Sequence, residues 1–150
     1  MWRDQPMSLT GDYDPNNVFA KILRGEIPCA TIFEDDDVLA FMDAFPQSKG
    51  HSLVISKTSH ARNLLDMEPE VLIKVMAATQ KLARAVIAAL NPDGVLISQF
   101  NGAPAGQTVF HTHFHVIPRY EGAALARHGG GMADPGELSA TAKEIAAKVV

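Results

Sequence analysis

Cysteine is almost missing: Cys29 stands alone, so no internal disulfide can staple the fold. A lone thiol fits a reducing compartment. The chain also has no uninterrupted apolar run long enough to cross a bilayer, and a membrane partner is not expected. It lacks a basic stripe as well, with 13 Lys and Arg against 17 Asp and Glu and a net charge of -4. A general nucleic-acid surface needs the opposite sign, so nucleic acid is not expected as a partner. Any phosphate-bearing ligand must then be held by local donors. CxxC and HExxH spacings are absent, which leaves any metal signal incomplete. The opening MWRDQPMSLTGDYDP is polar and has no apolar segment of the kind a secretory signal carries. Residues 1–14 read as a flexible arm, Met7 as an alternative start, and the cytoplasm as the expected location.

What is present is the composition of an ordinary globular protein, 47% hydrophobic and 20% charged over 150 residues. That length suits a single domain, here residues 15–150. NNVFAKILRG reads as a short helix, capped by Asn16 or Asn17 and followed by Gly25. CATIFE and VLAFMD read as strands joined by the turn Asp35-Asp36-Asp37, and HSLVIS as a third strand. From Pro69 to Leu90 apolar residues recur at three and four, the mark of one long amphipathic helix. VLISQFN and QTVFHTHFHVIP read as strands four and five. HGGGMADPG reads as a flexible linker and Glu137–Val150 as a terminal helix. These elements predict an α+β fold: a five-stranded antiparallel sheet with one long helix and short terminal helices.

The fifth strand holds three of the six histidines at alternate positions, His111, His113 and His115. Residues two apart on a strand point the same way, so the imidazoles share one face. Phe110, Thr112, Phe114 and Val116 fall on the other, toward the long helix. Three readings compete. The histidines could decorate a half-exposed sheet. An HxH pair could bind zinc, with a further ligand such as His51 or His60. Or an imidazole nitrogen could act as a nucleophile, with neighbouring donors stabilising charge on phosphoryl oxygens. The preceding AGQTV favours the last, because Gly106 permits close backbone approach, Gln107 carries an amide donor and Thr108 a hydroxyl.

GQTVFHTHFHVIPR resembles the signature of the histidine triad superfamily of nucleotide hydrolases and transferases, in which histidines alternate with hydrophobic residues. Thr112 departs from the usual apolar residue, which a strand tolerates. VFAKILRGEIPCATIFEDDDVLAFMDAFPQSKGHSLVISKTSH is similar to the N-terminal half of its nucleotide-binding branch. The likeness covers roughly residues 17 to 120. The fragile histidine triad branch, which hydrolyses dinucleoside polyphosphates, shares AGQTV and HxHxH but fits the first half less well.

The resemblance implies a phosphoramidase or nucleotide hydrolase in which His113 is the nucleophile, attacking the α-phosphorus of a purine nucleotide to form a nucleotidyl-histidine that water then hydrolyses. The alternatives are a dinucleoside polyphosphate hydrolase and a non-catalytic nucleotide-binding regulatory module. His115 would donate to a non-bridging oxygen, His111 would orient the nucleophile, and His51 would lie beside the triad. Asp43 would accept both ribose hydroxyls, and Phe19, Ile22 and Phe41 would wall the base. Asn101, Gly106, Gln107, Thr108 and Val109 match contacts to phosphate and leaving group. The family fold further implies a homodimer, and no cofactor. Some bacterial relatives bind zinc through two cysteines, a histidine after the third strand and the first triad histidine. Here the cysteine positions hold Asn17 and Ala20 while His60 remains, so no metal is expected.

Overall fold

A computed structural model describes residues 9–127 and 130–150. The first hairpin joins β1 (Thr31–Glu34) to β2 (Val38–Met42) in antiparallel register. Its acidic turn closes on one carboxylate: Asp35 Oδ1 accepts from the backbone N–H of Asp37 at 2.7 Å and of Val38 at 2.9 Å. Those two bonds favour the ionised form and hold the Asp35 carboxyl below its ordinary value. With β3 (Ser52–Ser56), β4 (Gly94–Ser98) and β5 (His113–Arg119) the sheet runs β1-β2-β3-β5-β4, and every pairing is antiparallel. The predicted α+β, five-stranded antiparallel architecture is the one observed.

Among the described residues three α-helices accompany the sheet: α1 (Val18–Leu23), α2 (Pro69–Leu90) and α3 (Pro135–Ala146). Asn17 caps α1, its side chain accepting from the Ala20 N–H at 2.9 Å. Helix α2 has the span that its periodicity predicts, with Pro69 in its first turn and Asn91 ending it in the left-handed conformation. It buries Val75, Ala78, Leu82, Ala85 and Val86 against Val38, Ala40, Val54, Phe114 and Val116. Alanines at 78 and 85 keep the helix close to the sheet. The buried Thr79 hydroxyl is satisfied by donating to Val75 O at 2.8 Å. Truncating the fully buried Leu82 to alanine would cost about 2–5 kcal/mol.

The strands are shorter than expected at several ends. β5 begins at His113 rather than near Gln107, because β3 ends at Ser56 and leaves no backbone for residue 111 to pair with. Thr112 instead sends its N–H and its hydroxyl to Ala61 O, at 3.1 and 3.0 Å. Phe114 and Val116 face the long helix as predicted, but Phe110, outside the strand, lies half-buried under the Arg62 guanidinium, 4.8 Å from its ring centre. β4 stops at Ser98, and the tail helix ends at Ala146.

Residues 1–8 of the expected arm lie outside the described residues. Leu9–Asp14 run against the domain: Asn63 Nδ2 donates to Leu9 O at 3.0 Å and Arg62 Nη1 to Asp12 O at 3.1 Å. Of the expected linker, His128 and Gly129 lie outside the described residues; Ala133 N–H donates to Ala44 O at 2.9 Å. That bond docks it on the loop from Asp43 to Gly50, and just before the linker Ala126 N–H donates to Gln47 O at 2.7 Å. Gly50 itself has φ +95°, and a side chain there would overlap Leu90, so only glycine lets the end of α2 close over the start of β3.

Candidate active site

β3 and β5 set the site. Their register places His113 opposite Ile55 and His115 opposite Leu53, so both imidazoles rise from the sheet face turned away from α2. That face also carries Leu39 and Phe41 and is covered by Phe19 of α1, with Ile22 and Val109 packed around it. The predicted apolar walls therefore do gather on the histidine face. Phe19 meets both Phe41 and His113 edge-on, with ring centres 5.5 and 4.9 Å apart.

Hydrogen-bond partners fix the protonation pattern of the four rings. His113 Nδ1 lies 2.7 Å from the carbonyl of His111, which can only accept. The hydrogen of the neutral ring is then on Nδ1 and the lone pair on Nε2. Gln47 N–H donates to His51 Nδ1 at 3.0 Å, which puts the His51 hydrogen on Nε2, 2.9 Å from His115 Nδ1. His115, accepting there, carries its hydrogen on Nε2. One ring of the site thus carries a lone pair on Nε2 and its neighbour, 5.0 Å away between ring centres, an N–H. His113 keeps 6% exposure, more than His51, His111 or His115.

His111 sits just before the strand yet joins the same cluster. Its Nε2 lies 3.1 Å from Ser56 O and its Nδ1 2.7 Å from the Tyr13 hydroxyl. Burial pushes its pKa down to about 4; the Ser56 carbonyl opposes this, and the charges of His113 and His60 add to it. It is neutral at physiological pH.

Asp43 follows β2. Its Oδ1 accepts from Phe45 N–H at 2.8 Å, while Oδ2 stands 3.3 Å from His51 Nε2. A carboxylate has about four acceptor positions, so capacity for hydroxyl donors remains. Other predicted contacts are turned inward. Asn101 Oδ1 accepts from Leu64 N–H and Gln99 Nε2. The buried Gln107 side chain accepts from Gly102 N–H at 2.8 Å and donates to Arg62 O and Val109 O at 2.6 and 3.1 Å. These amides shape the loop. Gly106, with φ +109°, ends its 3-10 turn, and Thr108 is exposed just beyond. Sequence reasoning missed Tyr13, whose only signal was being one of two tyrosines, in a polar segment.

A HIT domain family model matches residues 24–122. The chain belongs to the HIT family. One family member among the solved structures, from Sulfolobus tokodaii, is described as a hypothetical histidine triad nucleotide-binding protein; it is 26% identical, superposes with a TM-score of 0.79 and covers 87% of this chain and 90% of that one. Among the chain's relatives, Protein hit of Bacillus subtilis is 45% identical over 105 residues, 70% of this chain and 72% of that one. The adenosine 5'-monophosphoramidase hnt1 of Schizosaccharomyces pombe is 34% identical over 88% of this chain and 97% of its own. A Hit-like protein from Bartonella henselae superposes with a TM-score of 0.87 at 49% identity, covering 91% of this chain and 98% of that one. A zinc-bound histidine triad protein from Mycobacterium smegmatis gives 0.77 at 36% identity, covering 89% and 93%.

The zinc ligand set implied for some bacterial HIT proteins does not fit here. Asn17 is engaged as the α1 cap and Ala20 offers no donor. Tyr13 stacks on His60, with ring centres 4.9 Å apart, and its hydroxyl occupies His111 Nδ1. Elsewhere, Asp43, His51 and His115 hold three donor atoms within 4.8 Å of one another. A cation there would have to displace the hydrogen that the two rings share at 2.9 Å.

Proposed function

We propose that this HIT protein is a phosphoramidase acting at the α-phosphate of purine nucleoside monophosphate derivatives. The observation that carries the reading is the bond from His113 Nδ1–H to the His111 carbonyl, 2.7 Å, which turns the other nitrogen of that ring into a nucleophile. Nε2 attacks the α-phosphorus as the bond to the leaving group breaks, giving a nucleotidyl-histidine. The departing amine takes up a proton from solvent, which the later attack of water returns, and in this reading the exposed Thr108 hydroxyl hydrogen-bonds to the leaving group. Water then cleaves the phosphorus–nitrogen bond, releasing the monophosphate and restoring the ring. His115 Nε2–H stabilises the phosphoryl oxygens, backed by His51, and His111 orients the nucleophile. Asp43 accepts the ribose hydroxyls, and Phe19, Ile22 and Phe41 line the base. Asn101, Gly106 and Gln107 support the phosphate loop from within, and Val109 packs beside it.

The partner in this reading is a second copy of the chain. Ile73, Met76 and Ile87 lie exposed at helical spacing on α2, and Leu96 and Ile97 are exposed on the edge strand β4. A symmetric pairing would cover both. The cytoplasm is the proposed location; no helix among the described residues is long and apolar enough to cross a membrane.

Turnover of adenosine phosphoramidate and of a diadenosine polyphosphate by the wild type and by His113→Ala tests the reading. Phosphoramidate hydrolysis by the wild type and its loss in the variant, with nucleotide binding kept, are expected. Faster cleavage of the dinucleotide would move the assignment to that substrate class. Near-wild-type turnover by the variant would refute the nucleophile.

A further inference from the structure

We infer that Tyr13 is a positioning residue for this reaction, its phenol O–H holding His111 so that the His111 carbonyl holds the nucleophile. The inference rests on the phosphoramidase reading above. Ser56 O can only accept, so the His111 hydrogen lies on Nε2, 3.1 Å from it, and Nδ1 carries the lone pair. The phenol, 2.7 Å from that nitrogen, must donate. The ring is thus pinned at both nitrogens by groups from two different segments.

Residue 111 needs this pinning. The last rung between β3 and β5 is Ile55 with His113, so no sheet bond reaches the His111 backbone. The following peptide is held on one side by Thr112 N–H to Ala61 O at 3.1 Å. The imidazole is its other anchor. A swing of that ring would turn the carbonyl that fixes His113 Nδ1–H, 2.7 Å away, and with it the direction of the attacking lone pair.

Tyr13 is built in rather than draped. Its ring stacks on His60 with an interplanar angle of 8°. The preceding carbonyl, Asp12 O, is gripped by Arg62, a side chain from a residue only 3% exposed. After it, Asp14 accepts from Asn16 N–H at 2.8 Å through its carboxylate and from Asn17 Nδ2 at 2.7 Å through its carbonyl. The phenol therefore arrives already oriented, and a positioned donor costs little to use. The zinc site that this chain's residues do not fit is replaced, at the same two histidines, by one hydroxyl and one stacked ring.

The test is Tyr13→Phe, which keeps the ring and its stack and removes only the hydroxyl. With adenosine phosphoramidate kcat should fall about 5- to 30-fold while KM stays within about twofold, the range expected when a buried acceptor loses its donor. In 15N-histidine-labelled protein the His111 Nδ1 resonance should move toward that of an unbonded imidazole nitrogen. His60→Ala removes the stack but leaves the hydroxyl with its Asp12 and Asp14 anchors, so its loss of kcat and its shift of that resonance should both be smaller than those of Tyr13→Phe. If Tyr13→Phe does not fold, 3-fluorotyrosine at position 13 keeps every contact with a more acidic O–H, and should move the resonance the opposite way. An unchanged kcat in folded Tyr13→Phe, or an unmoved resonance in either protein, would overturn the inference. A wild type inactive on the phosphoramidate would instead overturn the functional reading, and the resonance would still report whether the phenol holds His111.

Discussion

Lowering the pH from 7 to 5 should cost the fold about 2 kcal/mol through His111 alone. The ring titrates near 4 when folded against 6.5 in an unfolded chain, chiefly because it is buried. Between those values the unfolded chain binds a proton that the folded one refuses, so stability falls as the pH falls. The contribution is fully present above the unfolded pKa and gone once the pH drops through the folded one, about 3 kcal/mol in all. Other groups titrate over the same range, so the measurement is a difference. Urea unfolding of the wild type and of His111→Asn at pH 7, 6 and 5 isolates the ring, because asparagine has nothing to protonate. The wild type should be the more stable at neutral pH, and its advantage should shrink by about 2 kcal/mol on going to pH 5. An advantage constant to within about 0.5 kcal/mol would show that the ring is not held neutral by its surroundings, and the assignment of its hydrogen to Nε2 would go with it.

Asp43→Asn keeps the oxygen that Phe45 N–H donates to and removes the charge. Nucleotide affinity should weaken by about 1–3 kcal/mol, and a 2′,3′-dideoxy ligand should bind both proteins alike; equal losses in both on removing the hydroxyls would refute the ribose contact. Turnover should survive EDTA, and elemental analysis of untagged protein should find less than stoichiometric zinc. Activity lost on chelation and restored by zinc would return a metal to the site. Ile97→Glu places a charge on the exposed edge of β4 and should shift sedimentation from dimer to monomer; a wild type that sediments as a monomer would exclude the second-copy partner.

The elements that read clearly in the sequence were those whose signals are local. The periodicity of α2 gave both its ends because proline and an asparagine-proline pair punctuate it. The Asp35 turn gave the first hairpin because a carboxylate closes it without outside help. The alternation of His113 and His115 gave their shared face. What failed was the assumption that a residue in phase with a strand lies on one. Position 111 depends on where β3 stops, and nothing near residue 111 records that Ser56 is the last strand residue. The same blindness hid Tyr13, whose partner is 98 residues away. Gln107 and Asn101 carry amides suited to phosphate, and only the fold reveals that Gly102 of their own loop and the distant backbone of Arg62 and Leu64 have claimed them.

The loop from Asp43 to Gly50 speaks to the histidine site through its main chain. Phe45 N–H sets the Asp43 carboxylate, and Gln47 N–H sets the hydrogen of His51 and, through it, that of His115. Every amino acid except proline supplies such an N–H. Substitution at 45 or 47 should therefore be nearly silent for the chemistry, with proline at either position the exception. Removal of a single residue from the loop would instead put the wrong amide under His51. Between Asp43 and Gly50, which are fixed by their own chemistry and conformation, the length of the loop matters more than the letters at 45 and 47.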